Sequence, residues 1–252
     1  MALLHVDKVT VRFGGLTAVN EVDIAVEEGQ IFAVIGPNGA GKTTIFNLVS
    51  RIYEPSGGKL AFDGRDITNV PPHMIAALGI ARTFQNIELF EHATLLQNLL
   101  LARHAHKKSS FWSEVLFLPS VRRMEIEHRE AVEKAIDFLD LQQYRDSLIV
   151  NLPYGVRKVT ELARALCTDP RILLLDEPSS GLNVEETEDM AFWIQDIKNL
   201  LGVTVLMVEH DMSLVSAVSD RVMALNYGRP IATGTPAEVQ AHPEVVRAYL
   251  GG

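Results

Sequence analysis

Nine residues, GPNGAGKTT at positions 36–44, constrain this chain more than any other stretch. They satisfy G-x-x-x-x-G-K-[S/T], a loop that cradles phosphate when a strand precedes it and a helix follows. Both are expected here. IFAVIG, residues 31–36, is continuously apolar, as a strand buried on both faces would be. TTIFNLVSRI reads as a helix. Gly36, Gly39 and Gly41 let the backbone wrap closely around phosphate oxygens. With Pro37, Asn38, Ala40 and Thr44 they make up the expected binding loop, whose N–H groups and helix N-terminus face the anion. Lys42 is placed to reach the β- and γ-phosphates, and Thr43 to give its hydroxyl to Mg2+.

The rest of the pattern fits around that unit. LLHVDKVTVRF and LTAVNEVDIAVE alternate apolar and polar residues, as half-buried strands do. KLAFDG reads as a strand ending in a turn, PPHMIAALG as a short helix opened by proline, and IARTFQ as another strand. From 88 to 168 the strand signals fade. TLLQNLLLARHAH has helical spacing, and VRRMEIEHREAVEKAIDFLDL mixes charges as a solvated amphipathic helix does. Alternation then resumes. RILLLDEP and TVLMVEH read as buried strands, ETEDMAFWIQDIKNLLG as a helix stopped by glycine, and MSLVSAVS as a short helix. RVMALNYGRPIATG reads as a hairpin turning at Asn226–Gly228, and PAEVQAH and PEVVRAYLG as short closing helices. Buried strands alternating with helices mean an α/β fold with a mostly parallel sheet, into which residues 88–168 are inserted.

RILLLDEP carries Asp176 and Glu177 to the C-terminal end of its strand, the end at which open α/β sheets bind ligands. Asp176 is expected to hold Mg2+ through water, and Glu177 to polarise the attacking water as general base. Alone, an acidic strand end is equally well read as a solvated pair. Beside a phosphate loop it has a chemical reason to be there.

With both motifs present in this order, the chain resembles the ATP-binding subunit of ABC transporters over nearly its whole length. The resemblance implies an α/β P-loop NTPase core with a mostly parallel sheet, an N-terminal antiparallel β subdomain and an inserted α-helical subdomain. Residues 1–87 and 169–252 would form the core with the β subdomain. Residues 88–168 would form the helical insertion, which ends in the signature helix and faces the membrane partner. ATP and Mg2+ are the implied cofactors, and ATP hydrolysis is the implied reaction. Phe13 takes the aromatic position on which the family stacks adenine, although an ordinary strand aromatic would look the same. Gln85, ending IARTFQ, matches the glutamine that touches Mg2+ and the attacking water. His210, ending TVLMVEH, matches the histidine that contacts the γ-phosphate. SSGLN, Ser179 to Asn183, matches the loop that crosses the dimer interface, where the family usually has aspartate at the place of Asn183.

LPYGVRK, residues 152–158, lies where the family's signature Leu-Ser-Gly-Gly-Gln lies, just ahead of a helix. In the family this segment caps the ATP held by a second subunit. Only Leu152 and Gly155 match. Pro153 stands for the serine and has neither hydroxyl nor N–H, and Tyr154 stands for the first glycine. Pro153, Tyr154, Gly155 and Val156 are therefore expected to face the partner's ATP with fewer donors, helped by Gly155 and the helix dipole.

Finer details resemble the branched-chain amino acid uptake group: VRFGGLTAVN, GIARTFQNIELF, the basic-then-acidic HAHKKSSFWSEVLFLPSVRR, LPYG, DEPSSGLN and the ending EVVRAYLG. The implied assembly has two membrane permease subunits, a second, similar ATP-binding subunit and an external periplasmic solute-binding protein. A heterodimer of different ATP-binding subunits is the group's usual arrangement, and a homodimer is the alternative. The chain would sit on the cytoplasmic face of the inner membrane. An exporter subunit of lipid or lipopolysaccharide type would share the phosphate chemistry, and only the group-level details stand against it. A soluble ATPase acting on ribosomes or DNA usually has two ATP-binding halves or a long coiled-coil insertion. A non-hydrolysing sensor need not keep Glu177 and His210.

Composition agrees. A formal net charge of −9 gives no general electrostatic reason to coat nucleic acid or anionic lipid. The single cysteine, Cys167, cannot form an internal disulfide and reads as a small buried apolar residue. The opening MALLHVDKVTVRF lacks the long apolar core of a signal peptide. No apolar run approaches the ~20 residues needed to span a bilayer. A membrane role is therefore expected to be peripheral.

Overall fold

The computed structural model describes residues 2–103 and 119–250, the side chain of residue 250 excepted. Most of HAHKKSSFWSEVLFLPSVRR, and the last glycine of the EVVRAYLG ending, lie outside the described residues. In chain order the elements are β1 (Ala2–Phe13), β2 (Leu16–Glu27), β3 (Ile31–Ile35), α1 (Lys42–Val49), β4 (Gly57–Phe62), β5 (Arg65–Asp66) and β6 (Ile80–Arg82). Then come α2 (Leu95–Ala102), α3 (Pro119–Phe138), α4 (Tyr154–Leu166), β7 (Ile172–Asp176), α5 (Val184–Leu201) and β8 (Thr204–Val208). The chain continues through α6 (Met212–Val218), β9 (Arg221–Asn226), β10 (Arg229–Gly234), α7 (Pro236–Gln240) and α8 (Pro243–Leu250). Two compact units result: Met1–Gln85 with Arg171–Gly252, and Asn86–Pro170.

The first unit holds two sheets. One is antiparallel, in the order β2-β1-β4-β5. The other runs β10-β9-β3-β8-β7-β6, parallel throughout except for β10 against β9. Strands β3, β7 and β8 are buried at every residue, as their unbroken apolar runs require. The core between the layers is built from Phe32, Val34, Ile45, Phe46, Leu48, Leu206 and Val208. The alternating strands add Leu4, Ile24 and Leu60. Because β3, β7 and β8 are parallel neighbours, their C-terminal ends open at one edge of the sheet, and the phosphate loop, Asp176 and the segment after Val208 all emerge there.

Three local expectations are corrected. PPHMIAALG forms two single 3-10 turns, Pro72–Met74 and Ala76–Leu78, ended by Gly79 at φ +91°. A segment this short gains too few hydrogen bonds to offset helix nucleation. The strand expected over IARTFQ stops at Arg82, so Gln85 lies three residues beyond it. Thr83 makes one more ladder bond, N–H to Leu174 O at 2.9 Å, and its hydroxyl then lies 3.4 Å from the N–H of Asp176, where the next backbone partner would be. The signature lies within its helix rather than ahead of it. Pro153 is the N-cap residue of α4, and Tyr154, Gly155 and Val156 are its first turn. Proline suits the start of a helix, where an N–H would have no intrahelical acceptor.

The second unit contains α2, α3 and α4. A capping box opens α2, with Thr94 and Gln97 each bonding the other's backbone N–H. Asn98 is fully buried, and its amide satisfies Phe90 N–H at 2.8 Å, Phe90 O at 3.1 Å and Thr94 O at 3.0 Å. Leu95, Leu99, Val132, Ile136, Val159 and Leu162, on the three helices, are buried too. Cys167, just past α4, is 2% exposed, and burial pushes its thiol up to about 12. The native chain should therefore resist iodoacetamide at pH 8 and label only after denaturation. Rapid native labelling, read by intact mass, would contradict this burial.

Candidate functional site

The phosphate loop joins β3 to α1 through three glycines with positive φ, Gly36 at +155°, Gly39 at +80° and Gly41 at +102°. Two of them have no room for a side chain. A Cβ on Gly36 would lie 2.2 Å from the carbonyl oxygen of Leu225, and one on Gly41 2.7 Å from that of Ala18. The loop is thus pressed against β9 and β2 while its outer side faces a cavity of about 460 Å³. Asn38, Gly39, Ala40, Gly41, Lys42, Thr43 and Thr44 line that cavity, with Gln85 and Glu177. Gly36 lies beneath the loop. Pro37 faces a second groove, which it shares with Asn226, Glu244 and Arg247.

Lys42 is 6% exposed, and its Nζ donates to Gly36 O at 2.7 Å and Pro37 O at 3.1 Å. Burial lowers its pKa below the ordinary lysine value, and the carboxylates of Glu177, Asp176 and Glu209 pull the other way. A cation held among three carboxylates at the mouth of a glycine loop suits a polyanion that brings its own counter-ion.

Asp176 closes β7 and is 2% exposed. Its Oδ2 accepts from Arg82 Nη2 at 2.8 Å, while its buried Oδ1 has no hydrogen-bond partner. Arg82 also donates to Asn47 Oδ1 at 2.7 Å and Ser50 Oγ at 3.2 Å, and its guanidinium lies over the rings of Phe46 and Phe84 at 5.6 and 5.2 Å. A buried carboxylate oxygen without a partner is costly. Coordinating an ion, directly or through water, would remove that cost. Thr43 and Gln85 line the cavity and bring a hydroxyl and a carboxamide oxygen; with the carboxylate of Asp176, the residue just before the cavity-lining Glu177, they make an oxygen set of the kind a hard divalent cation takes.

Glu177 follows, with φ +48°, a strained value for a residue that carries a Cβ. Its Oε2 accepts from Gln85 Nε2 at 2.8 Å and lies 3.8 Å from His210 Nδ1. The structure thus brings Gln85, Glu177 and His210 together. Phe13 lies outside the residues lining the cavity. Its ring is 46% exposed and meets Tyr53 edge-on at 5.0 Å. Asn183 caps α5, accepting from Glu186 N–H at 2.9 Å while the Glu186 carboxylate accepts from Asn183 N–H at 2.9 Å. Asparagine is among the best N-cap residues, which gives a local reason for it here.

Sequence reasoning passed over several site residues. Leu16, Thr17, Ala18 and Tyr227 line the cavity but carry no motif. Arg82 and Glu209 interrupt buried strand ends with charge, the signal that could have found them. Glu209 is fully buried. Its Oε1 accepts from Ser179 N–H at 2.9 Å and Ser179 Oγ–H at 2.6 Å, and its Oε2 from the N–H groups of His210 at 2.6 Å and Asp211 at 2.9 Å.

Comparison with known proteins adds independent findings. The family described as ABC transporter matches residues 19–180, and the family described as branched-chain amino acid ATP-binding cassette transporter matches residues 229–252. The chain is 45% identical to the high-affinity branched-chain amino acid transport ATP-binding protein BraF of Pseudomonas aeruginosa, over 99% of this chain and 98% of that protein. It is 41% identical to the corresponding protein LivG of Escherichia coli, over 99% and 98%. Among solved structures, the ADP conformation of MJ1267, an ATP-binding cassette of an ABC transporter, superposes with a TM-score of 0.87 at 30% identity and full coverage of both chains.

Proposed function

Because this chain belongs to the ABC transporter family as one of its ATP-binding ATPase subunits, we propose that it powers uptake of branched-chain or related amino acids from the cytoplasmic face of the membrane. The observation that carries the ATPase chemistry is the cluster of Gln85, Glu177 and His210, the first two of which line the cavity at the phosphate loop. The solute class is supported by the match over residues 229–252 and by the names of the full-length relatives.

The chain's own residues account for each step. The N–H groups of the loop and Lys42 hold the β- and γ-phosphates, and the half-exposed Phe13 ring offers adenine a face to stack on. Glu177 takes the proton of a water that attacks the γ-phosphorus. The bond from that phosphorus to the β–γ bridging oxygen breaks, leaving ADP and inorganic phosphate. Gln85 orients Glu177 and the water, and His210 contacts the γ-phosphate. Mg2+ would be held by Thr43, Gln85 and Asp176, and would supply neutralisation of phosphate charge.

Residues 88–168 are the proposed inserted subdomain facing the permease pair. Pro153 to Val156 would cap the ATP of a second, similar subunit. Among the described residues no helix is long and apolar enough to cross a membrane. Since the first turn of α4 and Gly155 remain, Pro153→Ser should keep ATP hydrolysis in the assembled dimer. Complete loss of turnover, read by phosphate release, would overturn the reading of an altered but working signature.

Affinity purification of the tagged chain from detergent-solubilised membranes tests the assembly. Recovery of two polytopic proteins and a second ATPase of similar sequence supports it. Recovery of the chain alone, or with ribosomes, overturns the transport reading while leaving the ATPase intact.

A further inference from the structure

Glu209 stands directly after β8, where five consecutive residues are buried, and its own side chain is 0% exposed. Burying a carboxylate costs free energy unless it is fully hydrogen-bonded. Here each oxygen accepts two donors, and the two pairs come from different loops. Ser179 N–H and Oγ–H, on the segment after β7, hold Oε1 at 2.9 and 2.6 Å. The N–H groups of His210 and Asp211, on the segment after β8, hold Oε2 at 2.6 and 2.9 Å. The same Oε2 lies 3.6 Å from His210 Nδ1. The backbone N–H of Glu209 donates to Val34 O at 3.2 Å, in the strand that feeds the phosphate loop. One side chain therefore ties the loop that begins at Ser179 to the one that carries His210. Asp211 continues the arrangement by capping α6 through Ser213 N–H at 2.8 Å.

We propose that Glu209 is a positioning residue for ATP hydrolysis, fixing His210 against Glu177 and coupling it to the Ser179–Asn183 loop. Only an ionised carboxylate satisfies this arrangement, because it accepts at both oxygens and donates at neither. A glutamine of the same shape must turn an NH2 group toward one of the two donor pairs. Turned toward His210 and Asp211, it faces two N–H donors and accepts from neither; turned toward Ser179, it can donate to the hydroxyl but leaves the Ser179 N–H without an acceptor. The inference rests on the ATPase reading, and its effect should pass through His210, since Glu209 is buried and does not line the cavity.

The test measures kcat and nucleotide affinity for Glu209→Gln, alone and combined with His210→Ala, with single-turnover assays for the slow variants. The expected result is a fall in kcat of about tenfold or more with ATP affinity changed by less than about threefold. In the His210→Ala background the same substitution should cost little further, because the residue it positions is gone. Wild-type turnover in Glu209→Gln, or a loss that persists in full on His210→Ala, would overturn the proposal. Should Glu209→Gln fail to fold, Ser179→Ala removes one donor to Oε1 and enters the same cycle. Unchanged kcat, or a loss fully additive with that of His210→Ala, would then refute it. Absence of ATP turnover in the wild-type chain, measured alongside, would sink the ATPase reading and this inference with it.

Discussion

Glu177→Gln will bind ATP and turn it over about 10²–10⁴-fold more slowly than the wild type. The substitution preserves shape. Its side-chain oxygen can still accept from Gln85 Nε2, now 2.8 Å from Oε2, so the unusual φ of +48° need not relax. What disappears is the ability to take a proton from water, which an amide lacks at neutral pH. Nucleotide should therefore accumulate bound, and uptake by the assembled transporter should stop. Fluorescent-nucleotide titration beside a phosphate-release assay separates the two effects. Turnover near the wild-type rate would remove Glu177 from the chemistry. Weakened binding with normal kcat would instead assign it to the phosphate site.

Lys42→Ala acts earlier, on binding itself. The ammonium is the cation that Glu177, Asp176 and Glu209 all stabilise, and it holds the Gly36 and Pro37 carbonyls. Truncation leaves the charge of Glu177, at the cavity, and of the buried Asp176 and Glu209 without the cation that offset it as a triphosphate arrives. It also removes charge-assisted hydrogen bonds worth ~1.5–3 kcal/mol each. ATP affinity should fall at least about tenfold, nucleotide-induced thermal stabilisation should vanish, and hydrolysis should become undetectable. Unchanged affinity would mean that the polyanion binds elsewhere.

What the sequence made legible was local. The phosphate loop, the apolar strand ahead of it and the acidic end of β7 can be read because strand burial and loop chemistry leave contiguous patterns. What it hid was non-local. Arg82 meets Asp176 across 94 positions, and Glu209 meets Ser179 across 30. Neither pairing has a period or a spacing to find. The end of β6 was misplaced for a related reason: the Thr83 hydroxyl, not a turn residue, takes over the ladder at Asp176. Leu16 to Ala18 and Tyr227 line the cavity only because two sheets bring them there.

The buried state of Cys167 has a practical reach. A chain whose sole thiol is shielded inside a helical unit already serves as a silent background for site-specific probes, with no need to delete the native sulfur. Tyr227, 86% exposed at the tip of the β9–β10 hairpin and lining the cavity at the phosphate loop, is a natural place for the one introduced attachment point. A fluorophore there would report ligand arrival at the phosphate loop by a change in emission.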